Sequence, residues 1–340
     1  MVEIKDGNEI RTYSCPKCYL CGHEGKLLYE SLKDRLFGAP GEWNLKKCTN
    51  SECGLVWLDP MPVEEDIGKA YQNYYTHNID YTKQSLLKSF LRRSYHAVKI
   101  IPSQILGLRK EEIRLNNMCL NDITPGKLLE VGFGNGKFLN KMRLADWEVE
   151  GVDFDSKAVE GVRTRYGFNV HVGSLESIAY PDNTFDAITM SHVIEHVSNP
   201  VALLQECYRI LKPGGYLVIV TPNINSWGHS IFRYNWRGLE PPRHLHIFSQ
   251  YTLKTCAKKA GFYNFDTWTT AAHAMYVLHG TLLIEKIGHT QISQLSQLRI
   301  FMISFLLEYY EFLLTKNNPE LGELVVLLAN KAIESKTNVT

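Results

Sequence analysis

Two rhythms of apolar residues alternate through the middle of this chain. Short apolar runs at 127–132, 149–153, 169–172, 185–190, 215–221 and 263–269 end in turn residues and predict strands. Between them, at 136–145, 156–166, 200–211 and 250–260, apolar positions recur every three or four residues and predict helices. Apolar strands alternating with amphipathic helices predict an α/β class, with a parallel sheet covered on both faces. Lys212-Pro213-Gly214-Gly215 predicts a break between helix and strand.

The flanks read differently. Residues 1–62, rich in cysteine, aromatic and turn residues, form a small module that ends at Asp59-Pro60-Met61-Pro62. Residues 63–125 read as a helical, basic linker, and 126–333 as the main domain. Within it, 271–318 is a helical insertion before a last strand at 323–330, and 334–340 is a flexible tail. The stretch 83–114 holds eight Lys and Arg against Glu111 and Glu112. It reads as a solvated helix face, with contact to a phosphate-bearing acceptor, RNA or an anionic membrane as the rival.

Composition narrows the class. With 340 residues, 44% of them apolar, the chain can bury a full core. A formal net charge of +1 argues against a nucleic-acid partner. A polar N-terminus and the absence of a long uninterrupted apolar run lead to the expectation of a cytoplasmic protein. Residues 300–314 come nearest to such a run but carry Glu308 and Glu311. That surface reads as a lid or a homo-oligomer contact first, and as a peripheral membrane contact second.

Five of the eight cysteines lie in the first 53 residues. Cys18-Tyr19-Leu20-Cys21-Gly22 and Cys48-Thr49-Asn50-Ser51-Glu52-Cys53-Gly54 read as two metal knuckles, in which glycine lets backbone amides turn toward the sulfurs. Cys18, Cys21, Cys48 and Cys53 are therefore candidate ligands for a structural Zn²⁺, with Cys15 or His23 able to replace one of them. Cys119, Cys207 and Cys256 read as small apolar fillers.

The candidate chemistry begins at Glu130-Val131-Gly132-Phe133-Gly134-Asn135-Gly136, a glycine-rich turn between a predicted strand and helix. Gly151-Val152-Asp153 closes the next strand with an acid about 20 residues on, the arrangement that holds a nucleoside. The spacing is G-x-G-x-G, with Lys137 where a dinucleotide loop has its third glycine. Glu130 would repel a diphosphate. A donor with an ammonium and a sulfonium and no phosphate suits the loop, and Asp153 can accept from both ribose hydroxyls. These features together fit S-adenosylmethionine.

Together with Phe185-Asp186-Ala187-Ile188, Val193-Ile194-Glu195-His196 and Leu211-Lys212-Pro213-Gly214-Gly215, the loop resembles class I S-adenosylmethionine-dependent methyltransferases across most of 126–270. The resemblance implies a Rossmann-like seven-stranded sheet with its last strand antiparallel. It implies donor contacts from Glu130, Gly132, Gly134, Gly136 and Asp153, from Met190 at the fourth strand end, and adenine contacts from Ser174 and Leu175. The family commonly has an acid where this chain has Ser174. The exit Gly54-Leu55-Val56-Trp57-Leu58-Asp59-Pro60 resembles the zinc-ribbon-like module that precedes the catalytic domain in some bacterial sugar and natural-product methyltransferases.

Two histidine clusters complete the candidate site: Ser191-His192-Val193-Ile194-Glu195-His196, and Pro241-Pro242-Arg243-His244-Leu245-His246 in a loop after the fifth strand. A hydroxyl acceptor needs a base. The expectation is His244 as base, Arg243 as an anion or hydroxyl anchor and His192 as the rival base. His196, at helical spacing from His192, reads equally as a residue orienting that turn. Trp227, Tyr234 and Trp236 read equally as an acceptor wall or as loop packing.

The reading is methyl transfer to a hydroxyl of a small acceptor, a sugar nucleotide or glycan precursor. The alternatives are a phenol or quinone precursor, since the Val-Ile-Glu-His segment also resembles quinone O-methyltransferases, a sugar C-methyltransferase, and an RNA methyltransferase or RNA-binding protein.

Overall fold

A computed structural model describes residues 10–72, 107–286 and 294–333. The tail at 334–340 and most of the 83–114 stretch lie outside the described residues. No helix among the described residues is long and apolar enough to cross a membrane.

The N-terminal module consists of β1 (Thr12–Tyr13), β2 (Gly25–Leu32), β3 (Trp43–Cys48), β4 (Val56–Leu58) and β5 (Met61–Pro62). β1 pairs with β5, and β2, β3 and β4 form an antiparallel sheet. The main sheet contains β6 (Lys127–Val131), β7 (Glu148–Asp153), β8 (Asn169–Val172), β9 (Phe185–Ser191) and β10 (Leu211–Pro222). After these come β11 (His246–Ile247), β12 (Asn264–Thr270) and β13 (Leu324–Asn330).

The seven-stranded order is β12-β13-β10-β9-β6-β7-β8. β6 to β10 run parallel to their neighbours among themselves, and β13 runs antiparallel to both β10 and β12. Leu128, Leu129, Ala187, Ile188, Leu217, Val218 and Val325 are all fully buried, as strands covered on both faces require.

Local chemistry fixes the connecting helices. Asp155 caps Ser156–Tyr166 by accepting from the Lys157 N–H, and Gly167 at φ 68 ends it. Asn199 caps Pro200–Ile210, whose proline stands at the first turn. Ser249 and Thr252 form a capping box at Gln250–Lys259.

One expectation changes. Lys212 to Gly215 do not separate helix from strand: β10 already begins at Leu211, which pairs with Phe185, and the register resumes at Tyr216 opposite Ala187. The residues between bulge outward, with Gly214 at φ 80, so the break lies inside the strand.

Among the described residues, the 271–318 segment holds two helices. Helix Ala274–Lys286 packs on the turns at 233–239, helix Gln294–Asn317 packs on it and on β12, and Glu308 and Glu311 are fully buried. Glu311 accepts from the Glu323 N–H, and Glu323 accepts from the Trp236 indole N–H. Burial, then the nearby charge of Glu323 and Glu308, raises the Glu311 pKa well above its ordinary value. Burial raises that of Glu323 to about 7.

In the window between 4.5 and about 7, the native Glu323 carboxyl holds a proton that the unfolded chain has lost. Stability present below that window therefore falls as pH rises through it. Thermal melts from pH 5 to 8 should show Tm declining, as stability on the order of a few kcal/mol is lost. Glu323→Gln should lessen the decline, with buried Glu311 contributing the rest; an unchanged slope in that variant removes Glu323 as a source.

Candidate functional site

β6 delivers the glycine turn to the carboxyl edge of the sheet. Gly132, Gly134 and Gly136 have φ of 71, 53 and 68, the left-handed region that favours glycine. Two of them are also fixed by packing. A Cβ at Gly132 would lie 2.4 Å from the Val193 side chain, and one at Gly136 would lie 2.7 Å from Val162. A Cβ at Gly134 would meet nothing within 4 Å, so the middle of the turn faces open space. Its N–H donates to Asp153 Oδ2 at 2.8 Å, and the Asp155 N–H donates to Asp153 Oδ1 at 2.9 Å. The ribose-side acid is therefore locked against the glycine turn.

Glu130 is buried, and its Oε2 has no partner. Burial, then the nearby Asp153, pushes the Glu130 pKa well up, and burial also raises that of Asp153. Two desolvated carboxyls beside an open turn are costly unless a cation joins them. An ammonium and a sulfonium without phosphate meet that requirement, so the residues present fit S-adenosylmethionine.

The remaining donor-side residues are placed unequally. Ser174 accepts from the Ser177 N–H at 3.2 Å and caps Leu175–Ile178, while Leu175 is buried. Met190 is buried opposite Val131. Phe154, 69% exposed immediately after Asp153, is a flat apolar wall that sequence reasoning passed over. Its only signal was a large apolar residue following the strand-end acid.

His192 follows β9 with φ 55 and is 43% exposed, while its neighbour Val193 packs on Gly132. Its Nδ1 lies 3.3 Å from Oε1 of Glu195, which is 1% exposed and whose Oε2 accepts from the Thr221 hydroxyl at 2.9 Å. Burial pushes the Glu195 pKa up, but the neighbouring imidazoles, His192 first, together hold it at about 2. A buried, ionised carboxylate thus lies 3.3 Å from an exposed imidazole whose neighbour Val193 packs on the glycine turn.

His244 is placed differently from the expectation of an exposed base. It is 4% exposed, its Nδ1 donates to the Gly238 carbonyl at 2.7 Å, and burial followed by nearby His196 lowers its pKa to about 4. His196 Nδ1 donates to the Arg243 carbonyl at 2.9 Å and faces the Tyr71 hydroxyl at 3.0 Å. The two rings meet edge to face at 4.7 Å.

Arg243 requires a correction. It is fully buried, with Nε donating to Glu240 at 3.0 Å and Nη1 to Asp34 at 3.0 Å and the Ala70 carbonyl at 2.8 Å. Its charge is neutralised inside the protein, so it cannot anchor an acceptor; it ties the histidine loop to the N-terminal module.

Among the described residues, two clusters could hold a metal ion. Ligand atoms of Cys18, Cys21, Cys48 and Cys53 all lie within 4.8 Å of one another, with Sγ separations of 3.7 Å for Cys18 to Cys53 and 3.3 Å for Cys21 to Cys48. Tetrahedral thiolates around zinc stand about 3.8 Å apart, so the donors fit. Backbone N–H groups of Leu20 and Cys21 face the Cys18 sulfur, and those of Asn50 and Leu55 face Cys48 and Cys53. Cys15 and His23 stand outside this group. The second cluster is Glu195, His196 and His244. Since both rings use Nδ1 on backbone carbonyls, Nε2 is the atom each could offer there.

β11 joins the two halves. His246 pairs with Trp57 and Ile247 with Val56, so the strand after His244 completes the module's sheet in the order β11-β4-β3-β2. His246 is buried, and burial lowers its pKa to about 4.

Comparison with known proteins follows the same lines. A family described as a methyltransferase domain matches residues 109–267. A probable S-adenosylmethionine-dependent methyltransferase of Mycolicibacterium smegmatis is 34% identical over 97 residues, covering 28% of this chain and 38% of that protein. A ubiquinone biosynthesis O-methyltransferase of Alkalilimnicola ehrlichii is 32% identical over 113 residues, covering 32% of this chain and 46% of that protein. The chain thus spans less than half the length of these curated relatives. A solved SAM-dependent methyltransferase from Archaeoglobus fulgidus superposes with a TM-score of 0.45 at 22% identity, covering 66% of this chain and 94% of that one.

Proposed function

We propose, from the premise that this chain carries a class I S-adenosylmethionine-dependent methyltransferase domain, that it methylates a hydroxyl group of a small acceptor. The observation that carries the reading is the exposed His192, held by buried Glu195 and set beside the glycine turn through Val193. The donor supplies an electrophilic methyl group on a sulfonium. Bound there, the donor would give up its methyl from sulfur and leave as the neutral thioether, while the acceptor hydroxyl's proton would pass to His192 Nε2, whose Nδ1 lies toward Glu195 Oε1. His244 and His196, pinned through their Nδ1 atoms, shape the wall behind this base. The test is incubation with donor carrying a ¹³C methyl group and a panel of sugars, sugar nucleotides and phenols. An O-methyl resonance on one acceptor class supports the reading; label on carbon, or no transfer to any hydroxyl, overturns it.

Glu130 and Asp153 hold the donor's cationic and ribose portions in this reading. Asp153→Ala removes a carboxylate that aligns the turn and accepts from the ribose, so donor affinity should fall by about 10- to 100-fold. Titration calorimetry with S-adenosylhomocysteine checks this, and an unchanged affinity discards the ribose role of Asp153.

Among acceptors, a hydroxylated sugar or glycan precursor is the first choice, in line with the zinc-module resemblance. A phenolic quinone precursor is the second, favoured by the ubiquinone-pathway relative. The four-cysteine cluster is assigned to one structural Zn²⁺ per chain, which elemental analysis of the purified protein measures directly.

A further inference from the structure

A cavity of about 560 Å³ opens between the end of β2 and the 234–241 loop, within the size range of small-molecule sites. Its wall combines Arg35, Tyr234, Trp236, Arg237, Glu240 and Asp34. Both acids already serve Arg243, and Glu240 also faces Arg237 at 3.3 Å. The wall also carries Glu30 and Lys33, the latter paired with Glu42 at 2.8 Å, so its charges are mixed. Arg35 is the cation without a carboxylate within ion-pair distance among the described residues. Its one side-chain hydrogen bond there goes to the neutral amide oxygen of Asn235, and its partial burial lowers its pKa. Beside it stands Tyr234, 57% exposed, over a floor made by buried Trp236.

We propose that this cavity anchors the remote end of the acceptor, an organic phosphate or diphosphate. Its anion pairs with Arg35 and its ring lies on Tyr234. The inference rests on the methyltransferase reading and deepens it. A half-buried guanidinium offers forked donors that match phosphate oxygens, and an exposed tyrosine face suits a planar ring. The position also suits a remote anchor. The cavity-lining loop includes Gly238, whose carbonyl holds His244, and leads into Arg243, whose carbonyl holds His196. An occupant therefore rests against the frame of the histidines, and its binding free energy can serve alignment at the reacting hydroxyl.

The experiment is calorimetry on the full chain saturated with S-adenosylhomocysteine, titrated with UDP, TDP, inorganic pyrophosphate and uridine. The expected pattern is binding of a nucleoside diphosphate, weaker binding of pyrophosphate and none of neutral uridine. Arg35→Ala should weaken the diphosphate by about 10- to 100-fold. Arg35→Lys should restore part of that loss, and Tyr234→Ala should weaken the nucleotide but not pyrophosphate. If pyrophosphate alone binds, with no gain from a ring, the stacking role of Tyr234 is overturned. If wild-type protein binds S-adenosylhomocysteine but no phosphate, or Arg35→Ala binds it equally well, the cavity assignment fails and the methyltransferase reading stands. Failure to bind S-adenosylhomocysteine at all sinks the methyltransferase reading instead.

Discussion

Exchanging His192 for asparagine lowers turnover by roughly 10²- to 10⁴-fold, the range expected when a positioned base is lost, while affinity for S-adenosylhomocysteine stays within about twofold. Asparagine is the right replacement because residue 192 has φ 55, a conformation asparagine tolerates and alanine does not. The contrast is His244→Asn. That ring is buried on the Gly238 carbonyl, so its loss shows first as a lower Tm. Single-turnover kinetics beside thermal melts separate the two. Near-normal turnover in His192→Asn, with a folded but inactive His244→Asn, would return the role of base to His244.

The second large effect concerns the cysteine module. Metal removal by a chelator, or Cys48→Ser, should abolish methyl transfer while donor binding persists. Structural zinc sites supply about 10 kcal/mol or more of folding free energy to the segments they organise. Here that segment reaches into the site. β4 pairs with β11, Asp34 holds Arg243, and the Arg243 carbonyl holds His196. A shift of even about 1 Å in this frame can cost on the order of 10²-fold in rate. The glycine turn and Asp153, by contrast, belong to the central sheet. The measurements are zinc content, S-adenosylhomocysteine affinity and turnover on the same chelated sample. Full activity in metal-free protein would show that the frame stands without the ion.

Much of the fold was legible because its signals are local. Strands covered on both faces read as unbroken apolar runs, and Asp155, Asn199 with Pro200, and Ser249 each mark a helix start by hydrogen-bonding its first turn. What escaped the sequence is long-range. Arg243 reads as a surface cation until Asp34, over two hundred residues earlier, is seen against it. Glu308 and Glu311 look like polar interruptions of an apolar helix, yet they are buried beside Glu323 and Trp236. Glu195 stands in the Val-Ile-Glu-His motif, but its place 3.3 Å from His192 depends on a turn whose left-handed start no propensity announces. Functional sites are where local rules are expected to give way.

The shared sheet also has a consequence for synthesis of the chain. β4 is an internal strand only because β11, about 190 residues later, covers one of its edges. While the ribosome is still extending the chain, Val56-Trp57-Leu58 offers uncovered backbone groups and apolar side chains to any passing strand. Ligating the cysteines early steadies the knuckles but leaves this flank bare. Full-length chains carrying Ile247→Pro, which disrupts this pairing, should therefore aggregate more readily than the unaltered chain even with zinc supplied.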